Sequence, residues 1–148
     1  MICFYCCDTL SCSADSPLAI DDGKQEDRLA NTKRVLIVED EKPLAHALEL
    51  KLTHEGMTTF VATNGAECLE ILNKEQIDVI LLDMMMPVMD GFQVLQELKG
   101  RENRPTIFAL SNLSVHDDQQ RVLDLGAQKY FIKSDTPLSI IVEEVKKA

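Results

Sequence analysis

Arg34-Val35-Leu36-Ile37-Val38-Glu39-Asp40 is the stretch on which the fold of this chain turns. An apolar run ends directly in two carboxylates. Short β-branched and leucine runs of this kind read as buried strands of a parallel sheet. The pattern recurs. Val79-Ile80-Leu81-Leu82 ends at Asp83, Thr106-Ile107-Phe108-Ala109-Leu110 at Ser111, and Tyr130-Phe131-Ile132 at Lys133. In an open α/β sheet, groups at the carboxyl ends of the strands converge on one crevice. Three acids gathered there repel one another unless a cation sits among them. A hard divalent ion suits such oxygen donors, and Mg²⁺ is the natural candidate. Acid pair, single acid, hydroxyl and lysine, in that order, form a phosphoryl-transfer constellation.

The segments between these runs carry helical periods. A helix is predicted from about Pro43 to Glu55, with Leu44, Ala47, Leu48 and Lys51-Leu52 giving the apolar stripe. Pro43 suits its first turn and Gly56 its stop. A strand is expected near Thr58–Ala62. Asn64-Gly65 then opens a helix to about Lys74, with Cys68, Leu69, Ile71 and Leu72 mostly inward. The remaining strands are placed at 78–82, 106–110 and 129–132. The remaining helices are placed at Gly91–Leu98, roughly 115–125 with Gly126 ending it, and Pro137–Lys147. Alternating strands and helices make an α/β, doubly wound five-stranded parallel sheet the expected fold.

A chain of 148 residues is one domain by length. Residues 1–33 lack a lasting period and read as a disordered or loosely attached leader, leaving 34–148 as the folded domain. The net charge of -10 argues against a nucleic-acid phosphate backbone and against an anionic membrane surface as partners. No apolar stretch is long enough to span a bilayer. Cys3, Cys6, Cys7 and Cys12 lie in the leader and only Cys68 in the body, which is no disulfide framework. A reducing, cytoplasmic setting fits. The leader's cysteines have no partner cluster that would make them a metal knuckle.

Asp83 is the expected nucleophile, because a carboxylate can accept a phosphoryl group as an aspartyl phosphate. Such chemistry is mostly positioning and charge neutralisation. Glu39 and Asp40 would hold the metal, Lys133 would neutralise a phosphoryl oxygen, and Ser111 would donate a hydrogen bond to another. Any one acid after a strand is more simply a helix cap, and Asp40 fits the helix that starts at Pro43. Met84-Met85-Met86-Pro87 reads as a loop with a backbone carbonyl near the metal, although Met86 and Met89 also suit plain core filling. Pro87 and Asp90-Gly91 fix the shape of that loop. His46, His54 and His116 fall on helices away from the strand ends and read as surface or half-buried residues, not catalytic ones.

With these residues in place, 34–148 resembles the receiver domain of two-component response regulators, of the stand-alone, chemotaxis-regulator-like kind. The matches are Val35-Leu36-Ile37-Val38-Glu39-Asp40-Glu41, Asp83 through Gly91, Ser111, Gly126-Ala127 and Tyr130-Phe131-Ile132-Lys133. The resemblance implies a flavodoxin-like sheet with strand order 2-1-3-4-5. It implies phosphoryl transfer from a histidine kinase or phosphotransfer protein onto Asp83. It implies Mg²⁺ held by Asp40, Asp83 and the Met85 carbonyl, with Glu39 acting through water. Ser111 and Tyr130 match the family's switch pair. Together they would reshape a face made of the fourth helix, fifth strand and fifth helix for a downstream protein. Three positions depart from the pattern. Glu39 replaces an aspartate, Asn112 replaces a smaller residue, and Ser134 replaces a proline that is frequently cis. A cis bond before serine costs roughly 3 kcal/mol, so a trans bond is expected.

The leading functional reading is a phospho-accepting switch acting by protein contact, with slow hydrolysis of its own acyl phosphate. Met85 and Leu113 are apolar and flank the approach of water, and Asn112 adds bulk there. A phosphatase is the competing enzyme reading. It needs a second acid two residues after the nucleophile, where this chain has Met85. A phosphorylation-independent pseudo-receiver that only binds a partner is the other alternative.

Overall fold

The computed structural model describes residues 32–112 and 116–148. The leader expected over 1–33 lies almost wholly outside the described residues, as does Leu113. From Lys33 onward the chain alternates strand and helix: β1 Arg34–Val38, α1 Lys42–His54, β2 Thr58–Ala62, α2 Gly65–Lys74, β3 Val79–Asp83, α3 Gly91–Leu98, β4 Thr106–Ser111, α4 His116–Asp124, β5 Lys129–Ile132 and α5 Leu138–Lys147. All neighbouring strands pair in parallel, in the order β2-β1-β3-β4-β5. This is the doubly wound, flavodoxin-like arrangement.

The strands are apolar on both faces because helices cover both. Val35, Ile37, Val79 and Leu81 point to one side, where they meet Ala45, Leu48 and Leu52 of α1 and Ile141, Val142 and Val145 of α5. Leu36, Val38, Ile80 and Leu82 point to the other, against Cys68 of α2, Val94, Leu95 and Leu98 of α3, and Val122 of α4. Each fully buried Leu, Ile or Val stabilises by about 1.5–3 kcal/mol. The central strand β3 is buried throughout, whereas the edge strands β2 and β5 are partly open to solvent.

Local chemistry fixes the element ends. The Asn64 side chain accepts from the Glu67 N–H at the start of α2 (2.9 Å). Asp90 and Gln93 form a reciprocal capping box at the start of α3. Gly56 and Gly126, with φ of +85° and +106°, end α1 and α4 in the left-handed conformation. At both, the paired closing hydrogen bonds of a Schellman motif are present.

Three expectations shift. Asp83 and Ser111 are the last residues of β3 and β4 instead of the residues after them, because the ladder continues one step, to Met84 N–H on Leu110 O (3.0 Å). The buried stripe of α1 is Ala45, Leu48 and Leu52, with Leu44 and Ala47 half-buried and Lys51 exposed. Asp40 does not cap α1: Glu41 stands at the cap, without a side-chain hydrogen bond.

Gly91 matters for the site. A Cβ there would lie 2.7 Å from Asp83 O and 2.8 Å from Met84 Cα. A methyl group would have to push the backbone that carries Asp83. Gly91→Ala should therefore destabilise the fold by about 1–3 kcal/mol, although alanine is the better helix former. Gly100→Ala, with nothing within 4 Å of its Cβ position, should be close to neutral. Urea denaturation compares the two, and equal midpoints would refute the steric account.

Candidate functional site

The parallel strands place Glu39, Asp83, Ser111 and Lys133 at one end of the sheet, around the point where β1 and β3 adjoin. Glu39 follows β1, and its N–H binds Ala62 O of β2 (3.0 Å). This holds the backbone in register one step beyond the strand. The Glu39 side chain is fully buried. Asp83 ends β3 and is 3% exposed. Lys133 follows β5, and its N–H binds Ser111 O (2.8 Å), which aims the side chain back over the sheet.

Lys133 joins the two buried carboxylates. Its ammonium lies 2.9 Å from Glu39 Oε1, 2.7 Å from Glu39 Oε2 and 3.1 Å from Asp83 Oδ2. Asp83 Oδ1 accepts from the Met85 N–H (3.1 Å), and Glu39 Oε1 from the Glu41 N–H (3.3 Å). Glu39 Oε2 is buried and accepts no well-angled hydrogen bond, so the ammonium meets it by charge alone. Asp40 is exposed beside them. One carboxylate oxygen from each of Glu39, Asp40 and Asp83 lies within 4.8 Å of the others. Three hard oxygen donors, two of them from buried carboxylates, fit a hard divalent cation.

Electrostatics follow from burial. Burial pushes Glu39 up from 4.5 to about 7; the ammonium of Lys133 opposes this and the charge of Asp83 adds to it. Burial also raises Asp83, against the Met85 N–H and Lys133. Burial alone would lower Lys133, but its hydrogen bond to Glu39 and the two acids' charges outweigh it and hold the ammonium above its usual range.

Ser111 is buried and Tyr130 half-buried. Tyr130 pairs with Ala109 in register and packs with it on the α4-bearing face. Ser111, two residues beyond Ala109, faces the same side. The structure thus brings Glu39, Asp40, Asp83 and Lys133 together and sets Ser111 and Tyr130 on one face next to them. Met85 is 57% exposed and touches the site through its backbone. Met86 and Met89 are half-buried and pack against the core as expected, and Met84 is the buried methionine beside them. The three histidines are all exposed on helices. No described peptide bond is cis, so the bond before Ser134 is trans as expected.

Two features escaped the sequence. The direct Lys133–Glu39 pair joins residues 94 positions apart, and no local pattern announces it. Val88 adopts a left-handed backbone, against the preference of a β-branched residue.

The raised Glu39 has a consequence for stability. A group whose folded pKa exceeds its unfolded value contributes fully below about 4.5 and loses that contribution as pH rises through about 7. Asp83 acts in the same sense. In chelator, the metal-free protein should become less stable between about pH 5 and pH 8. Glu39→Gln should flatten that slope and gain about 2 kcal/mol at the upper end. Thermal melts across the range test this, and identical slopes in both proteins would refute it.

The comparisons with known proteins agree with this geometry. The family profile described as "Response regulator receiver domain" matches residues 35–143. A protein named "Probable transcriptional regulator ycf27" from Porphyra purpurea is 37% identical over 105 residues, which cover 71% of this chain and 43% of that protein. The chain spans less than half the length of the curated relatives it matches. Among solved structures, the Francisella response regulator 1452 receiver domain is similar with a TM-score of 0.74 and 28% identity, over 78% of this chain and 95% of that one. The signal receiver domain of a signal transduction histidine kinase from Syntrophus aciditrophicus reaches 0.71 and 30%, over 78% and 89%. With the profile match, this fold and this strand order, the chain belongs to the family of response regulator receiver domains.

Proposed function

We propose that this receiver accepts a phosphoryl group on Asp83 from a phosphohistidine protein, a histidine kinase or phosphotransfer protein, and so switches a protein-contact face. The observation that carries the reading is the buried Glu39–Lys133–Asp83 cluster with Asp40 at its open side. An Asp83 oxygen attacks phosphorus, the phosphorus–nitrogen bond to the donor imidazole breaks, and the bonding pair leaves with the imidazole nitrogen. Lys133 neutralises charge on the phosphoryl oxygens. Ser111 donates a hydrogen bond to one of them.

Asp40, Asp83 and the Met85 carbonyl would hold Mg²⁺ directly, and Glu39 through water. When bound, the ion would offset the negative charge gathered between carboxylates and phosphoryl group. The hydrogen bond from Met85 N–H to Asp83 supports this, since it keeps that stretch of backbone against the acceptor. Ser111 and Tyr130 form the switch, and α4, β5 and α5 form the face read by a downstream protein. Exposed Leu123 of α4 and Ile140 of α5 support an apolar contact there. The apolar side chain of Met85 supports slow hydrolysis, because it cannot orient a water beside the acceptor. The acidic balance supports a partner that is protein and not nucleic acid for this stretch of chain. No helix among the described residues is long and apolar enough to cross a membrane, which is compatible with a cytoplasmic setting.

With acetyl phosphate and Mg²⁺, the wild type should gain one base-labile acyl phosphate. Asp83→Asn should lose it. Undiminished labelling in that variant would overturn the assignment and leave the pseudo-receiver reading. Asp40→Ala should weaken Mg²⁺ binding by at least about tenfold in calorimetric titration. Wild-type affinity in Asp40→Ala would place the ion elsewhere.

A further inference from the structure

A crossover helix between parallel strands runs back against their direction. The start of α4, at His116, therefore lies toward Asp83, and its end lies toward the amino ends of the strands. The two ends are held differently. At the start, His116 and Asp117 are exposed, and Asp118 and Gln119 are half-buried. No residue of α4 before Val122 is buried. At the far end Val122 is fully buried, Leu125 packs against the same core, and Ala127 is buried just beyond. Backbone bonds tie off the last turn: Gly126 N–H to Leu123 O (2.9 Å) and Ala127 N–H to Val122 O (3.2 Å). Gln128 N–H then binds Ile107 O of β4 (2.8 Å).

Arg104 adds a clasp to that end. It stands two residues before β4, and its Nη2 donates to Leu125 O (2.8 Å). A cation suits the carbonyl end of a helix. The guanidinium is seated on Gly126. A Cβ there would come within 2.6 Å of Arg104 Cζ, so the arginine fits only because that residue is glycine. The seat has a cost. Arg104 Nε is buried and has no hydrogen-bond partner among the described residues. An unpaired buried donor is destabilising, and a solvated arginine would avoid it. What the buried side chain gains is its hold on α4. The segment carrying β4 thus meets α4 at both ends: Ser111 closes the strand and leads into the start of α4, and Arg104 precedes the strand and grips the end of α4.

We propose that Arg104 is a positioning residue that makes the Gly126 end of α4 a pivot. A change at Ser111 then swings the first turn of α4 and leaves its last turn in place. The proposal rests on the reading of Asp83 as phosphoryl acceptor and of Ser111 as its switch partner. A nine-residue helix is about 13 Å long, so a tilt of about 5° at the pivot moves His116 by about 1 Å. Without the clasp, a helix buried through one side chain would shift as a body.

The test follows backbone amides in the full chain by hydrogen exchange and chemical shift. It compares wild type with Arg104→Met, which keeps the stem and loses every donor, and with Arg104→Lys, which keeps the charge. Each is measured metal-free and with Mg²⁺ plus beryllium trifluoride as the phosphoryl mimic. Metal-free, Gly126 and Ala127 should exchange about tenfold faster in Arg104→Met than in wild type, with Gln120 unchanged. In wild type the mimic should shift amides at His116–Gln119 and leave Leu125–Ala127 almost unmoved. In Arg104→Met the shifts should spread to Leu125–Ala127, and the response at Tyr130 should fall at least twofold. Arg104→Lys should lie between the two. Faster exchange in Arg104→Met with a wild-type response to the mimic would make Arg104 a plain brace and overturn the proposal. Equal shifts along the whole of α4 in wild type would also overturn it, since the helix would then move as a body. Should Arg104→Met not fold, wild type and Arg104→Lys decide by the same criteria. A wild type that binds Mg²⁺ but answers the mimic nowhere would refute the acceptor reading, and the pivot with it.

Discussion

One ammonium shared by two buried carboxylates is the interaction on which the rest of this structure depends. Glu39 and Asp83 are both removed from water, and two carboxylates so placed cannot both stay charged without compensation. Lys133 supplies one positive charge to the pair. The desolvation cost of a buried ion is several kcal/mol, and only close geometry offsets it. Contacts of 2.7–3.1 Å provide that geometry. With both acids ionised and the ammonium counted, one negative charge remains on the cluster, and exposed Asp40 lies beside it. The site is therefore built to attract a further cation and to tolerate a dianionic group only with help.

The chain's topology explains why a lysine does this work. β5 is separated from β1 by β3 and β4. The group that ends β5 must reach across the top of the sheet to meet the group that ends β1. A four-carbon stem can do so, and its apolar portion lies along apolar surface while the charge reaches the acids. The extra methylene of Glu39, relative to an aspartate, helps close the same gap. Lys133 is itself aimed by its backbone hydrogen bond to Ser111. Positioning of the charge thus comes from the parallel ladder, and the ladder comes from the apolar runs.

Those runs are why the fold was legible in the sequence. Strands buried on both faces leave continuous Val, Ile and Leu, and the polar residue that ends each run marks the crevice. Asp83, Ser111 and Lys133 could be read off in that way. What the runs do not encode is contact between distant residues. The Lys133–Glu39 pair depends on side-chain reach over the two strands between β5 and β1. The small rotation of the α1 stripe, with Ala45 inward and Lys51 outward, depends on how the helix lies on α5 and the sheet. Turn residues such as Pro87 and Asp90-Gly91 located the loop, but its apex valine contradicts the turn preferences that located it. There the constraint came from both ends of the loop and overrode the residue's own preference.

Burial is distributed unevenly over the two layers, and this bears on how a change at the site would travel. Among the described residues, α3 buries Gly91, Val94, Leu95 and Leu98, and α1 and α5 bury three residues each. α4 buries Val122 alone. Its further ties are Arg121 over the Phe92 ring at 4.9 Å and the Schellman closure at Gly126, which Arg104 braces by donating to Leu125 O (2.8 Å). An exposed cation over a half-buried ring is worth about 0.5–1 kcal/mol, less than a buried leucine. α4 is therefore among the helices that the fold holds least firmly, beside α2, whose one buried side chain is Cys68. Ser111 ends the strand that leads into it, and Tyr130 lies on the same face. Local opening free energies follow local burial. A small change in hydrogen bonding at Ser111 meets rigid packing toward β3 and α3, and weak packing toward α4. Under the proposed reading, a response at Ser111 would therefore run toward α4 and Tyr130 and away from the core that holds Asp83 in place.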